Sequence, residues 1–208
     1  MKLICGIDEV GRGCLAGPVI SAAIIIDKKL ILPDIKDSKL LTPDKREYYF
    51  DYLMKNAISV SIGTASNVEI DEINILNAAL LSMERAFNNL TVKPDIIIID
   101  GPYIPKRLSM LNTMHSAHSA QSAQSAPLRC GSIKVLSVIK ADVKVKLVSC
   151  ASIVAKVTRD RIMREYYDKK YHGYGFKNHK GYATKEHKEN ILKLGLTDIH
   201  RKTFNFEM

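Results

Sequence analysis

The sequence has few cysteines, and none stands at a spacing that would make it informative. The four are Cys5, Cys14, Cys130 and Cys150. No two of them form a Cys-x-x-Cys pair, and no histidine lies near them at metal-ligand spacing. This pattern predicts buried or partly buried free thiols in a reducing compartment, not a disulfide framework or a zinc site.

Long apolar runs and targeting signals are also missing. No apolar run reaches the ~20 residues that a membrane-spanning helix needs. Met1 leads directly into the first apolar run, without a charged leader region or a small-residue cleavage site. We therefore expect a cytoplasmic protein with no membrane partner.

Acidic residues are scarce relative to basic ones. The 208 residues include 31 Lys and Arg against 22 Asp and Glu, which gives a net charge of +9, and 46% of them are hydrophobic, enough for one globular domain with a real core. Between positions 169 and 202 there are twelve Lys and His residues, and Arg201 adds another cation. This concentration favours a polyanionic partner over an ordinary solvated surface.

The apolar pattern alternates between strand and helix signals. Short apolar runs bounded by turn residues predict five strands, at 3–7, 19–26, 57–64, 96–100 and 133–139. Apolar residues at steps of three and four predict helices at about 67–90, 147–166 and 186–194. Thr42 as N-cap and Pro43 at the first helical position predict one more. The result is an α/β domain with parallel strand pairing.

Two segments depart from that pattern. The four isoleucines at 96–99 predict a strand that is covered on both faces. Residues 113–126 form a three-residue Ser-Ala repeat with little to bury, which predicts a low-complexity surface insertion. Its two histidines, His115 and His118, fit a solvated loop better than a metal site.

Acidic residues stand where strands are predicted to end. Asp8 and Glu9 close the first strand, and Asp100 closes the fourth. If those strands are parallel neighbours, about 4.8 Å apart, Asp8 and Asp100 can share one cation at the carboxyl edge of the sheet. Glu9 points to the opposite face of an ideal strand, but the turn that begins there can re-aim it.

A fourth acid would complete a site for two divalent ions. Asp142 follows the fifth strand, whereas Asp160 stands between Arg159 and Arg161 on a helix, where a surface ion pair is the simpler account. We therefore favour Asp142. Clustered carboxylates raise each other's pKa and need cations to be stable together, and two such ions can promote hydrolysis of a phosphodiester.

The turn that follows the first acids carries positive charge. In Gly11-Arg12-Gly13, glycines allow the backbone to approach a ligand closely, and its N–H groups and the arginine suit a phosphate or a sugar. An acidic metal site beside such a turn points to chemistry on a nucleic-acid backbone.

These motifs resemble those of the ribonuclease HII family. The similarity extends over essentially the whole chain except the Ser-Ala repeat. It is carried by residues 6–13, 16–19, 37–41, 99–101, 139–142, 151–160, 174–176, 179–182 and 200–204. The first of these reads Gly-Ile-Asp-Glu-Val-Gly-Arg-Gly.

The resemblance implies a fold and an activity. The fold would be RNase H-like, with a five-stranded mixed sheet flanked by helices, in a single domain spanning 1–208 with a C-terminal helical, substrate-binding segment from about 165. The activity would be that of an endoribonuclease that cleaves the RNA strand of RNA–DNA hybrids. It would also nick on the 5′ side of ribonucleotides embedded in duplex DNA, leaving a 3′-hydroxyl and a 5′-phosphate. We expect a monomer that uses Mg²⁺ or Mn²⁺ in primer removal or ribonucleotide excision repair.

The resemblance also assigns roles to residues. It implies that four acids bind the metal ions and act in catalysis: Asp8, Glu9, Asp100 and Asp142. It further implies that Gly11, Arg12 and Gly13 sense the ribose 2′-hydroxyl, and that Tyr182 packs on the sugar at the RNA-to-DNA junction.

Other residues near these motifs stay open. Lys39 is predicted to touch a phosphate, although a solvated lysine fits nearly as well, and Lys156 is undecided in the same way. His179 and His187 could shuttle protons, but a surface or structural role is the better account of each.

Two alternatives remain at this point. Ribonuclease HIII lacks the Gly-Arg-Gly turn and usually carries an additional N-terminal domain, for which Asp8 lies too near the start. A catalytically silent protein that binds hybrids is the other alternative, and the four acids argue against it.

Overall fold

The computed structural model describes residues 2–31, 35, 41–117 and 133–205. Lys39 and positions 118–126 of the Ser-Ala repeat lie outside the described residues. The order of elements along the chain is β1 (Ile4–Val10), β2 (Val19–Ile25), α1 (Pro43–Asn56), β3 (Ser59–Ala65), α2 (Asn67–Asn88), β4 (Ile96–Asp100), α3 (Lys106–Ala117), β5 (Lys134–Val138), α4 (Ala141–Lys144), α5 (Lys146–Arg161), a π-helical turn (Ile162–Tyr167), α6 (Asp168–Lys170), α7 (Phe176–His179) and α8 (Lys185–Leu194).

The five strands form one mixed sheet in the order β3-β2-β1-β4-β5. Strand β2 is antiparallel to β1 and β3, while β4 is parallel to β1 and β5. The predicted five-stranded mixed sheet is therefore confirmed, and so is the parallel pairing of the first and fourth strands. As a result, the carboxyl ends of β1 and β4 meet at one edge.

Helices α2 and α3 cover one face of the sheet. Ile97 and Ile99 of β4 are fully buried there and pack with Met83 of α2 and Leu108 of α3. Ile96 and Ile98 point the other way and are only half-buried. The run of isoleucines thus predicted a more complete cover of the second face than the structure has.

Helix α5 lies on the opposite face, against β1 and β2, and α1 packs on α5. Ala22 and Ile24 pack there with Leu53 of α1 and Val154 of α5. Gly6 of β1 lets α5 come close, because a Cβ at that position would lie 2.8 Å from the carbonyl oxygen of Leu147. Helix α5 therefore lies directly under the strand that carries Asp8.

The helix predicted over 147–166 is regular only as far as Arg161. It continues as the π-helical turn, whose wider winding has no signal in the apolar spacing. Beyond it, short helices surround a small aromatic cluster in which Phe176 and Tyr174 stack 5.6 Å apart and pack with Met163 and Ile199. This cluster is the core of the C-terminal segment.

Helices α1 and α2 each begin at a side-chain cap. Thr42 Oγ1 accepts the N–H of Lys45, as its N-cap position predicted. Ser66 and Glu69 form a reciprocal capping box at the start of α2. Within the described residues, no helix is both long and apolar enough to cross a membrane.

The contact between β3 and α2 depends on Gly63. A Cβ at this position would lie 2.0 Å from the carbonyl oxygen of Ser82, closer than any side chain can come to backbone. We predict that Gly63→Ala lowers the free energy of unfolding by roughly 2–3 kcal/mol because helix and strand must separate. Urea titration measures this, and the neighbouring exposed Thr64→Ala is the control, with a change within about 0.5 kcal/mol. Equal stability of the two variants would contradict the prediction.

Candidate active site

Three carboxylates converge at the carboxyl edge of β1 and β4. One oxygen each from Asp8, Glu9 and Asp100 lies within 4.8 Å of the others. The strand register explains the proximity, since Ile7 pairs with Ile99 and both strands then present an acid next. Glu9 joins the group although β1 continues to Val10 and Glu9 pairs with Ser21 of β2. The prediction that a turn begins at Glu9 and re-aims it is therefore wrong, and the carboxylate reaches the cluster from within the strand.

Backbone groups fix two of these acids. Asp8 Oδ1 accepts the N–H of Glu9 at 2.8 Å, and the Ser152 hydroxyl of α5 also hydrogen-bonds Asp8. Asp100 Oδ1 accepts the N–H of Ala141 at 2.6 Å, which ties it to the start of α4. The acids are therefore held by the sheet edge and by α4 and α5.

Burial makes this cluster electrostatically unfavourable by itself. Asp8 is only 4% exposed, and burial raises its pKa well above 3.8, with the charges of Glu9 and Asp100 adding to the rise. Burial also raises the pKa of Glu9, although the Arg12 guanidinium, 3.2 Å from Glu9 Oε1, opposes this. Bringing like charges out of water has this effect in general.

The donor set fits a divalent cation. Among the described residues, Glu9 Oε2 is the buried side-chain polar atom without a hydrogen-bond partner. Carboxylate oxygens are the ligands that hard cations such as Mg²⁺ bind, and a cation here would offset both the mutual repulsion and the unsatisfied oxygen. Asp8, Glu9 and Asp100 are thus suited to hold one.

Asp142 lies near this cluster but outside its tight core. It is 4% exposed, on the four-residue helix α4, and its main-chain carbonyl accepts a hydrogen bond from Ser149 Oγ. It lines the same cleft of about 230 Å³ as Asp8 and Asp100. Its role as fourth metal ligand therefore stays a prediction.

The Gly-Arg-Gly turn opens directly beside the acids. Gly11 has a φ of 95° and no room for a side chain, because a Cβ would lie 2.3 Å from Arg159 Nε. Arg12 and Gly13 are exposed, and Gly13 has open space around it. Gly11 is thus fixed by packing, while Arg12 and Gly13 are exposed to solvent.

A buried arginine from the C-terminal segment holds this turn in place. Arg201 is 1% exposed and donates to the carbonyls of Gly11 at 2.6 Å, Arg12 at 2.8 Å and Gly17 at 2.9 Å. Burial lowers its pKa to about 10, so it is still charged at neutral pH. Arg201 therefore does not face a polyanion, and its interpretation as a surface cation of the 169–202 region is wrong.

A second buried arginine lies next to it on α5. Arg159 donates to the carbonyls of Ala16 and Pro18, at 3.0 and 2.9 Å, and to that of Lys180 at 2.8 Å. It therefore joins the segment after the turn to the loop that carries Tyr182. No sequence signal separated Arg159 from an ordinary helix-surface cation, and Asp160 forms its ion pair with Lys156 instead, at 2.9 Å.

Tyr182 lines the cleft together with the acids. It pairs with Cys14 through an isolated β-bridge, and its hydroxyl hydrogen-bonds the buried Cys14 thiol. The ammonium of Lys156 lies 5.1 Å from the ring centroid, a cation–π contact. Burial raises the pKa of Tyr182 to about 12, so the hydroxyl stays protonated. The predicted free thiols agree with the structure for Cys5, Cys14 and Cys150, while Cys130 lies outside the described residues.

The cationic region at 169–202 is divided between surface and interior. His179, His187 and His200 are 6%, 0% and 2% exposed, so with Arg201 they form part of the core and do not face a polyanion. The sequence left open whether His179 and His187 are surface or structural residues. The structure shows that both are buried. The lysines of the region remain largely exposed.

Comparison with known proteins gives a consistent result. The family model described as Ribonuclease HII matches residues 5–206. A ribonuclease HII from Acetivibrio thermocellus is 45% identical over 203 residues, covering 98% of this chain and 70% of the relative. The crystal structure of ribonuclease H2 from Pyrococcus horikoshii OT3 has a TM-score of 0.71 at 32% identity, covering 98% and 94% of the two chains.

A more distant structure shares the fold. It is Bst-RNase HIII in complex with Mn²⁺, with a TM-score of 0.59 and 20% identity over 93% of this chain and 63% of that one. These structures confirm the RNase H-like fold. The match to the ribonuclease HII family model argues against the ribonuclease HIII alternative. The chain belongs to the ribonuclease HII family, and it is a metal-dependent type 2 ribonuclease H, an endoribonuclease acting on RNA–DNA hybrids.

Proposed function

We propose that this enzyme also nicks duplex DNA on the 5′ side of a single embedded ribonucleotide, by hydrolysis that depends on two divalent ions. The observation that carries the proposal is the adjacency of the three-acid cluster to the Gly-Arg-Gly turn, through the contact of Arg12 with Glu9. A residue that reads the ribose beside the metal acids would couple recognition of one ribonucleotide to the cut next to it.

Four acids would hold the cations in this proposal: Asp8, Glu9, Asp100 and Asp142. Bound divalent ions supply an activated water and offset the charge on the leaving oxygen of the phosphodiester. Mg²⁺ and Mn²⁺ both suit an all-carboxylate donor set. The Mn²⁺ complex of Bst-RNase HIII supports the choice of Mn²⁺.

The chain's own residues would select the nucleotide. The main chain of residues 11–13 can approach the ribose because glycines flank Arg12, and the 2′-hydroxyl is the group that distinguishes RNA from DNA. Tyr182 offers a ring face to the neighbouring deoxyribose. Tyr182 lines the cleft of the acids and Arg12 contacts Glu9, so one substrate can meet all three features.

A groove beside the cleft supports binding of a duplex. It has a volume of about 320 Å³ and shares Arg46, Lys156 and Tyr182 with the cleft of the acids. Lys180 and Arg164 add positive charge farther along it, and two carboxylates also line it. This surface suits a phosphate backbone that continues past the cut. Lys39 belongs to this proposal only as a predicted phosphate contact.

Cleavage of a duplex that contains one ribonucleotide tests the proposal. With Mg²⁺ or Mn²⁺ we expect a single nick on the 5′ side of the ribonucleotide, leaving a 3′-hydroxyl, and no cut in the matched all-DNA duplex. Asp100→Asn should reduce this cleavage by at least about 10³-fold while the duplex is still bound, because the acid acts on the reaction and not on affinity. Gel analysis of end-labelled strands and fluorescence anisotropy measure the two effects.

Two outcomes would contradict the assignment. Binding without a cut by the wild-type protein, with either ion, would favour the silent hybrid-binding alternative. Loss of folding in Asp100→Asn, seen by circular dichroism, would make Asp100 a structural residue. Asp44→Asn, which changes an exposed acid at the start of α1, is the matched control and should cleave normally.

The selectivity residues have a separate test. Arg12→Ala and Tyr182→Ala should each lower kcat/KM for the one-ribonucleotide duplex by about 10- to 100-fold, with a smaller loss on an all-RNA strand in a hybrid. The physical reason is that a hybrid offers many positions for cutting, whereas a single ribonucleotide must be found and aligned. If both variants cleaved both substrates like the wild type, the roles of the turn and of the tyrosine would be wrong.

The metal-binding acids also make a prediction about stability. Without divalent ions, Asp8→Asn should raise the melting temperature by about 2–4 °C, which corresponds to roughly 1 kcal/mol, because it removes one of three repelling charges. Added Mn²⁺ should then stabilise the wild type but not the variant. Differential scanning calorimetry in chelator and in Mn²⁺ checks both results, with Asp44→Asn again as control. A variant less stable than the wild type in chelator would indicate that Asp8 is structural.

A further inference from the structure

Three histidines form a connected network behind the cleft. His187 Nδ1 lies 2.9 Å from the carbonyl oxygen of Tyr182, and His187 Nε2 lies 3.1 Å from His200 Nε2. His200 Nδ1 accepts the N–H of Thr197 at 2.9 Å. The network thus runs from the C-terminal segment to the main chain of Tyr182.

The partners determine where each proton lies. The Tyr182 carbonyl can only accept, so His187 Nδ1 carries a hydrogen. His200 Nδ1 accepts from Thr197, so the hydrogen of a neutral His200 is on Nε2 and points to the bare Nε2 of His187. These three hydrogen bonds can all form only when His187 and His200 are both neutral and in these tautomers.

The hydrogen-bond partners of His179 also require one particular neutral tautomer. Its Nε2 lies 2.8 Å from the carbonyl oxygen of Tyr174 and must donate, while its Nδ1 accepts the N–H of Gly181 at 3.1 Å. The His179 and His187 rings stack with centroids 4.2 Å apart. Two stacked imidazoles tolerate each other well as neutral rings and poorly as two cations.

The histidine rings are among the groups that hold the loop carrying Tyr182. The Tyr182 carbonyl accepts from His187 and from the N–H of Thr184 at 2.8 Å. The Gly181 carbonyl accepts the N–H of Leu15 at 2.8 Å, next to the Gly-Arg-Gly turn. The ring network is therefore one of the contacts that determine where Tyr182 lies relative to the acids.

We propose that His187, held by His200, is a positioning residue that fixes the main chain of Tyr182 for substrate binding and does so only as a neutral imidazole. This rests on the role proposed above for Tyr182. It assigns no proton transfer to His179 or His187, since each ring nitrogen already has a partner within the protein.

The surroundings of the rings favour the neutral form. Burial lowers the pKa of His187 and of His200 to about 4, and it lowers that of His179 as well. Within the described residues, no carboxylate hydrogen-bonds a ring nitrogen. The titratable groups that face the rings from the neighbouring elements are Asp168, Tyr174, Lys180, Glu186 and Asp198. An added proton would place two N–H groups opposite each other at whichever ring received it.

A direct test is the tautomer of each ring. In protein with histidine labelled by nitrogen-15, NMR at neutral pH should identify His187 as the Nδ1–H tautomer, and His179 and His200 as Nε2–H tautomers. The assignments can be made with single substitutions. An Nε2–H tautomer of His187, or a charged ring at neutral pH, would overturn the proposal.

A double-mutant cycle tests the connection to substrate. His187→Leu should raise KM for the one-ribonucleotide duplex by about five- to tenfold, with less effect on kcat, because it removes a buried hydrogen bond to Tyr182. His187→Asn should retain most of the affinity, since its amide can donate to the same carbonyl. In a Tyr182→Ala background, His187→Leu should cause no further loss.

Each outcome of the cycle is informative. Additive losses would show that His187 acts independently of Tyr182. If Tyr182→Ala raised KM and His187→Leu did not, the positioning role of His187 would be rejected while the substrate role of Tyr182 would stand. No effect of Tyr182→Ala would reject the substrate role of Tyr182 and, with it, this inference. If His187→Leu does not fold, His187→Asn and the tautomers decide. Asp44→Asn, at the exposed start of α1, is the control and should give the wild-type KM.

The network also predicts the direction of acid sensitivity. A histidine whose pKa is lower in the folded state binds protons preferentially when unfolded, so its stabilisation is full above about pH 6.5 and is lost as the pH falls towards 4. His187→Asn removes one such group, and its melting temperature should fall less steeply over that range. In His172→Gln, which changes an exposed histidine, the melting temperature should depend on pH as in the wild type. An equally steep fall of the melting temperature in His187→Asn would contradict the neutral-ring requirement.

Discussion

The architecture of the site depends on two guanidinium groups buried against main-chain carbonyls. Arg159 and Arg201 together donate seven hydrogen bonds to carbonyl oxygens between residues 11 and 18 and at residue 180. Within the described residues, neither has a carboxylate at ion-pair distance. A buried charge is tolerated only when its donors are satisfied, and the planar fork of arginine satisfies several carbonyls at once. The turn beside the acids is therefore fixed by residues far away in sequence.

This constraint connects three parts of the chain that would otherwise be independent. Arg201 belongs to the C-terminal segment, Arg159 to α5, and the segment they hold leaves β1. Tyr182 joins the same assembly through its bridge to Cys14 and through the histidine network. The three carboxylates repel each other, whereas the two guanidinium groups attract the carbonyl oxygens around them. Two buried positive charges therefore lie next to a cluster of negative charges. Functional sites commonly carry such local strain, which the rest of the fold offsets.

Local features were predictable wherever one residue type has one physical reason. Thr42 caps α1 because its hydroxyl satisfies an exposed N–H, and apolar spacing found α2 and α8 with ends close to those observed. The parallel pairing of β1 and β4 was only assumed from sequence, and the structure has it. The π-helical turn after Arg161 was not predictable, because a single widened turn leaves the apolar period nearly unchanged. The incomplete cover of Ile96 and Ile98 depends on where α5 lies and not on the strand itself.

The sequence by itself determined the chemistry of the site: which acids stand at strand ends, that a glycine-flanked arginine follows them, and that the chain resembles ribonuclease HII. Tertiary structure alone decided the environment of the cations. Arg201 and His187 look like surface charges in a basic segment, yet both are buried and hold main chain. The physical reason is that residue type fixes what a group can donate or accept, whereas burial, charge state and partner depend on which distant segments surround it.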